Sequence, residues 1–303
     1  MDKYRLLYVL VLSCVTTVLP AQLKDYSSQV DSVLNLMTIQ EKVGQMIQYS
    51  NNKLLTGPAL DTSNRTEEIK RGEVGSVFNI ITVERAKQYQ DLAMQSRLRI
   101  PLLFGLDVLH GLKTIFPIPL AEAASFNLDL MRKTANVAAA ETSSLGIHWT
   151  FAPMVDVSRD ARWGRSMEGA GEDTWYCSQV AKARIEGFQG SNYDEKRTVL
   201  ACAKHFAAYG AAVGGRDYAE ADISEHTLQQ VYLPPFQAAV EAGVATFMNA
   251  FNEINGIPAT AHKILQRDVL KGKWGFNGFV VSDWGSVGVI AKHRIAKDNN
   301  DAG

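Results

Sequence analysis

The chain has 303 residues, 46% hydrophobic and 21% charged, an ordinary globular composition with length for one large core or two modest ones. Its 31 basic and 32 acidic residues leave a net charge of −1, and without a long basic run it lacks the phosphate-neutralising surface of a nucleic-acid binder. The 23 Gly and 9 Pro are too few for a linker-dominated or collagen-like chain.

Lys3 and Arg5 precede an apolar stretch over residues 6–18 that ends at Leu19-Pro20-Ala21. A basic start, a short apolar run and a small residue predict a secretory signal peptide over 1–21. The mature chain is then 22–303, in the periplasm or outside the cell. Neither this stretch nor any other is long enough for a comfortable transmembrane span. A buried N-terminal helix is the structural alternative. A lipid anchor on Cys14 ranks below plain export, because the apolar run continues past it. Cys14, Cys177 and Cys202 show no CxxC spacing, so neither a structural zinc site nor a disulfide framework is expected.

Next, residues 30–48 carry apolar residues at helical spacing, with Thr38 and Glu41 offering a capping box. Strand-like apolar runs follow at 75–80, 101–107, 148–153, 199–206, 245–251 and 278–284. Helical patterns lie between them, among them 128–145, 173–189 and 228–242. Buried, non-alternating strands that alternate with helices predict a parallel sheet. No GxGxxG or GxxxxGK[ST] follows a strand, which weighs against a nucleotide-binding open sheet. Several strands instead end in chemically capable residues, the hallmark of a (β/α)8 barrel. Six strands are clear, with room for a seventh. The tail at 295–303 is polar, without helix or strand character, so the TIM-like barrel is expected to be incomplete at its C-terminus.

Four strand ends carry the candidate chemistry. Asp283, in Ser282-Asp283-Trp284-Gly285, closes an apolar strand, and a buried carboxylate there needs a partner to stay ionised. It could equally cap the next helix. Lys204-His205 ends another strand, where a core histidine beside a surface lysine competes with a rim site or a Schiff-base lysine. The Gly-rich stretch that follows reads as a mobile loop delivering Arg216. Arg159, Arg162 and Arg165 with Trp163 could bind a sugar, or form a salt-linked loop with Glu168, Glu172 and Asp173. Asp107 ends a fourth strand. No His/carboxylate pair stands at i, i+4 on a helix, so no metal or other cofactor is expected.

In combination these motifs resemble glycoside hydrolase family 3, specifically its N-terminal barrel as found in bacterial periplasmic β-glucosidases. Val269, Lys271, Lys273, Gly278, Ser282-Asp283 and Ser286 follow the family's active-site signature. Gly105-Leu106-Asp107, the run from Arg159 to Arg165 with Gly171-Glu172-Asp173, and Lys204-His205-Phe206 match in order, over roughly residues 30 to 293. The resemblance implies a retaining, exo-acting β-glucosidase that hydrolyses terminal β-D-glucosyl residues of oligosaccharides or glycosides. It implies Asp283 as the nucleophile, with Asp107, Arg159, Lys204, His205 and Arg216 around the glycone and Trp284 walling the leaving-group side.

Two departures qualify it. Phe251 stands where the family often has Tyr. The chain also stops before the family's last barrel strand and its α/β sandwich domain, which usually supplies the acid/base Glu. Retaining chemistry needs two carboxyl groups about 5–5.5 Å apart. Glu253 and Glu172 are conceivable substitutes within the chain. His226, in Ser224-Glu225-His226, lacks the preceding Asp of the family's histidine-dependent subgroup and reads as a helix-start residue. The isolated chain is therefore expected to be inactive. A sugar-binding barrel without turnover and a Schiff-base lyase using Lys204 are the alternatives from other classes.

Overall fold

The computed structural model describes residues 26–51, 65–191, 196–292 and 295–302. The expected signal peptide and Cys14 lie outside them. The apolar runs form parallel strands in chain order: β1 (Gln48–Ser50), β2 (Ser76–Phe78), β3 (Leu103–Leu106), β4 (Trp149–Thr150), β5 (Cys202–Phe206), β6 (Thr246–Asn249) and β7 (Phe279–Val281). Strands β1 to β4 pair in sequence, as do β5, β6 and β7. Parallel bridges Trp149↔Leu200 and Met154↔Lys204 stitch β4 to β5. This is the order of a (β/α) barrel, in which each strand pairs with its successor.

The arc is open, as expected, but begins with a strand the sequence did not mark. It has seven parallel strands, and among the described residues β7 and β1 do not pair, so the wall is not closed. β1 was missed because residues 30–48 read as one helix. They form two, Ser27–Leu36 and Ile39–Gln45, followed by β1. The capping box explains the break. Thr38 Oγ1 accepts from the Glu41 N–H at 3.2 Å, and the Thr38 N–H donates to Glu41 Oε2 at 2.8 Å. These bonds satisfy the first orphan donors of a new helix, so the preceding helix ends at an extended Met37.

The two long helical patterns appear as Leu128–Ser144, capped by Asn127, and Thr174–Gln189, capped by Asp173. Over 228–242 the helix is irregular. Pro234 and Pro235 have no N–H to give, and the Leu233 N–H reaches back five residues to the Leu228 carbonyl at 3.0 Å. The tail, read as structureless, contains a short helix at Asn299–Ala302, where Asp298 Oδ1 accepts from the Asp301 N–H at 3.0 Å. The core sits between β5, β6 and their covering helices, where Phe206, Phe236 and Phe247 are fully buried. Ring centroids there are 5.3 Å (Phe206–Phe236) and 5.6 Å (Phe206–Phe247) apart, in edge-on contact.

Candidate active site

The C-terminal ends of β3, β5 and β7, with the segment after β4, converge on one group of charges. Every residue of β5 is buried, including Lys204 and His205. Strict strand alternation would send these two side chains to opposite faces. The register of β5 on β6 shifts between Lys204 and Phe206, an irregularity of the kind that re-aims side chains, and both reach the site.

Lys204 Nζ lies 3.1 Å from Asp107 Oδ1 and 3.7 Å from Glu168 Oε2. Burial lowers the proton affinity of this amine, but the charges of Asp107 and Glu168 outweigh it and raise the pKa above the usual lysine value. Lys204 is therefore a cation. Glu168 is also bound by Arg165, whose Nε donates to Oε1 at 2.7 Å and Nη2 to Oε2 at 3.1 Å. Burial pushes the Glu168 pKa up, yet the Arg165 hydrogen bond and the two cations leave it below the ordinary carboxylate value. The Arg165 guanidinium lies 5.6 Å from the centre of the Tyr209 ring.

His205 is sealed from solvent and held at two points by one oxygen. Its backbone N and its ring Nδ1 are each 2.9 Å from Asp156 Oδ2. On the other side Nε2 faces Asp283 Oδ2 at 3.7 Å. Burial drives the imidazole pKa well below its usual value, with Arg165 and Lys204 adding to the effect, so His205 is neutral. The Asp283 side chain follows β7 and is 12% exposed. Burial raises its pKa to about 6, against the Trp284 N–H bond to Oδ1 (2.6 Å) and the pull of Lys204 and Arg165. Trp284 stands edge-on to Phe78 at 5.1 Å.

Five of the residues singled out from the sequence are thus brought together: Asp107, Lys204, His205, Asp283 and Trp284. Two are not. Arg159 is exposed and bonds Tyr232, which is not part of the group. The turn through Gly164–Glu168 brings Arg165 inward instead, six residues along the same motif. Arg216 is exposed, its guanidinium curling back over Gly214, with no hydrogen bond or ion pair to the group among the described residues. Trp163 Nε1 ties the same loop down through Asp217 Oδ1 at 3.0 Å. Glu172 is exposed and Glu253 opens a small antiparallel hairpin with Ile257–Pro258. His226 lies exposed in the turn Glu225–Thr227, capped by Ser224, the helix-start role its sequence suggests. Phe251 packs edge-on against Tyr218 at 4.8 Å and Tyr209 at 5.9 Å.

Sequence reasoning gave no role to Asp156, placed Glu168 only in a salt-linked loop, and left Arg165 between that loop and sugar binding. A signal for Asp156 was present, since it is the lone charge in the otherwise apolar run 151–157. Burial of that run makes an unpaired carboxylate there costly, and a partner had to exist.

Known proteins resemble most of this chain. The family described as "Glycosyl hydrolase family 3 N terminal domain" matches residues 38–302. A periplasmic beta-glucosidase of Salmonella typhimurium is 44% identical over 90% of the chain, and a beta-xylosidase of Formosa agariphila 37% identical over 79%. The crystal structure of a beta-glucosidase from Listeria innocua in complex with isofagomine superposes with a TM-score of 0.85 at 41% identity, covering 91% of this chain. The chain spans about a third of these relatives: 35% of each of the two enzymes and 39% of the solved structure. On the extent of these matches the chain belongs to glycoside hydrolase family 3, and the part of that family it carries is the N-terminal, TIM-barrel-like domain.

Proposed function

We propose that this chain is the glycone-binding and nucleophile-bearing part of a retaining, exo-acting β-glucosidase working through a glycosyl-Asp283 ester. The observation that carries the reading is the surroundings of Asp283. A nearly enclosed carboxylate stands at a strand end, with a neutral imidazole 3.7 Å away and the cations Lys204 and Arg165 close enough to hold it ionised. Asp107, Lys204 and His205 supply hydroxyl partners for a terminal sugar, Arg165 takes the part first given to Arg159, and Trp284 walls the leaving-group side. The periplasmic Salmonella relative supports export of this chain too, with the signal peptide over 1–21 and the mature domain over 22–303.

A charged, ion-paired Lys204 argues against a Schiff-base lyase, which needs a free amine. The proton donor is the part left to be supplied. Of the carboxyl groups gathered here, Asp107 is tied to Lys204, Asp156 lies behind His205 and Glu168 is ion-paired with Arg165. We therefore propose that these residues alone accept the glycosyl group but do not protonate a poor leaving group, help typically worth about 10²–10⁴-fold. Incubation with dinitrophenyl β-glucoside should release about one equivalent of dinitrophenol per chain in a burst, while cellobiose stays intact. Efficient cellobiose cleavage would place the acid within the chain, with Glu253 and Glu172 the first to mutate. A borohydride-stable adduct on Lys204 would establish the lyase instead.

A further inference from the structure

Asp156 touches neither solvent nor Asp283, yet it fixes what His205 can do. The same oxygen, Oδ2, lies 2.9 Å from the backbone N and 2.9 Å from the ring Nδ1 of His205, and both side chains are fully buried. The backbone N–H is an obligatory donor, so Oδ2 must act as an acceptor toward it. Burial raises the Asp156 pKa to about 7, so above that pH the carboxyl group is ionised and Oδ2 offers only lone pairs, to Nδ1 as well as to the backbone N–H. In that ionised form the hydrogen between Asp156 and His205 belongs to Nδ1. In a neutral imidazole, Nε2 is then a bare lone pair. Around the ring stand Asp156 from the segment after β4, Asp283 after β7, Lys204 on β5 itself, Arg165 from the loop after β4, and Tyr209 edge-on at 5.3 Å. Among the described residues neither Nε2 nor Asp283 Oδ2 has a hydrogen-bond partner, and they face each other at 3.7 Å.

We propose that Asp156 is a positioning residue: by accepting both N–H groups of His205 it locks the Nδ1–H tautomer, so that Nε2 and Asp283 Oδ2 form a pair of acceptors for two neighbouring hydroxyls of the bound sugar. This rests on the glycosidase reading for the identity of the ligand, but the tautomer does not. A donor at Nε2 would instead bond Asp283 directly, competing with the sugar for the carboxylate that must attack it.

The test is ¹⁵N–¹H correlation spectroscopy of the full chain labelled at histidine, with the His205 signals assigned by their loss in His205→Gln. In the unsubstituted protein at about pH 8, where Asp156 is ionised, the unprotonated ring nitrogen of His205 should be Nε2. Asp156→Asn keeps an oxygen acceptor in place and should keep that tautomer. Asp156→Ala removes the acceptor, and His205 should shift toward Nε2–H. Glycosylation by dinitrophenyl β-glucoside should fall by about 10²-fold in Asp156→Ala, the scale of a mis-set catalytic geometry, and recover to within about tenfold of normal in Asp156→Asn. A purely structural role would not couple tautomer to rate in this way. The proposal is overturned if the unsubstituted protein carries its proton on Nε2, a result independent of whether any variant folds. It is equally overturned if Asp156→Ala folds and keeps the Nδ1–H form. Should the glycosidase reading fail, no burst would appear while the tautomer result stood, so the two failures are distinguishable.

Discussion

Strands β5 and β6 lie inside the arc and β1 and β7 at its ends, and the same parallel pairing gives them opposite surroundings. Every residue of β5 and β6 is buried, whereas β1 has none that is and Phe279 of β7 is 46% exposed. The helix Ser27–Leu36, which precedes β1 in the chain, likewise buries no residue. The site straddles this divide. Lys204 and His205 stand on the sealed strand, while Asp283 stands on the edge strand. Lys204 and His205 are thus fixed in the buried part of the arc, and Asp283 stands at its half-exposed end.

The sharpest way to break that comparison is Asp283→Asn. The amide keeps the volume but cannot form an ester, so glycosylation by an activated glucoside should drop by about 10³-fold or more with the far-ultraviolet circular dichroism unchanged. Survival of a tenth of the rate would place the nucleophile elsewhere. The converse substitution is in the sealed half. Phe247→Ala deletes a fully buried ring packed 4.7 Å from Phe276, and should cost about 3–5 kcal/mol in urea denaturation. Phe279→Ala on the exposed edge removes mainly one edge-on contact, with Trp149 at 5.1 Å, and should cost only about 1 kcal/mol. Equal losses would mean that the two regions are not distinct.

Much of this was legible in the sequence. Six strand positions, the long helices and the strand-end chemistry followed from apolar runs and what terminates them. β1 was hidden because three residues cannot set a period of two against a preceding helical pattern. Choosing Arg159 over Arg165 had a different cause. The motif holds three arginines within seven residues, and which one turns inward depends on the path of the chain through Gly164–Glu168. Asp156 was passed over because its partner lies 49 residues away, a distance that local spacing does not encode.

A smaller effect sharpens the electrostatic side of the comparison. Lys204→Ala removes a charge-assisted donor from the sealed half and should lower kcat/KM for an activated glucoside by about 1.5–3 kcal/mol in transition-state terms, with less effect on glucose binding. Equal losses in both would indicate uniform binding. The edge carboxylate should also leave a mark on stability. Burial raises the pKa of Asp283 to about 6, so folding favours its neutral form; that stabilisation is complete below about pH 4 and is lost as pH rises through 6. Asp283→Asn should therefore be more stable than the unsubstituted chain at pH 7.5, by up to about 2–3 kcal/mol. The gain should disappear near pH 4. A constant difference across that range would show that Asp283 is not held ionised at a cost.

Trapping decides the central claim, that Asp283 is the atom-bearing partner of the sugar. The chain is incubated with the 2-deoxy-2-fluoro analogue of dinitrophenyl β-glucoside, whose ester is slow to hydrolyse, then digested and sequenced by mass spectrometry. The account predicts one fluoroglucosyl group per chain, on the Asp283 carboxyl group, and none in Asp283→Asn. A label on any other residue, or undiminished labelling of Asp283→Asn, would contradict it.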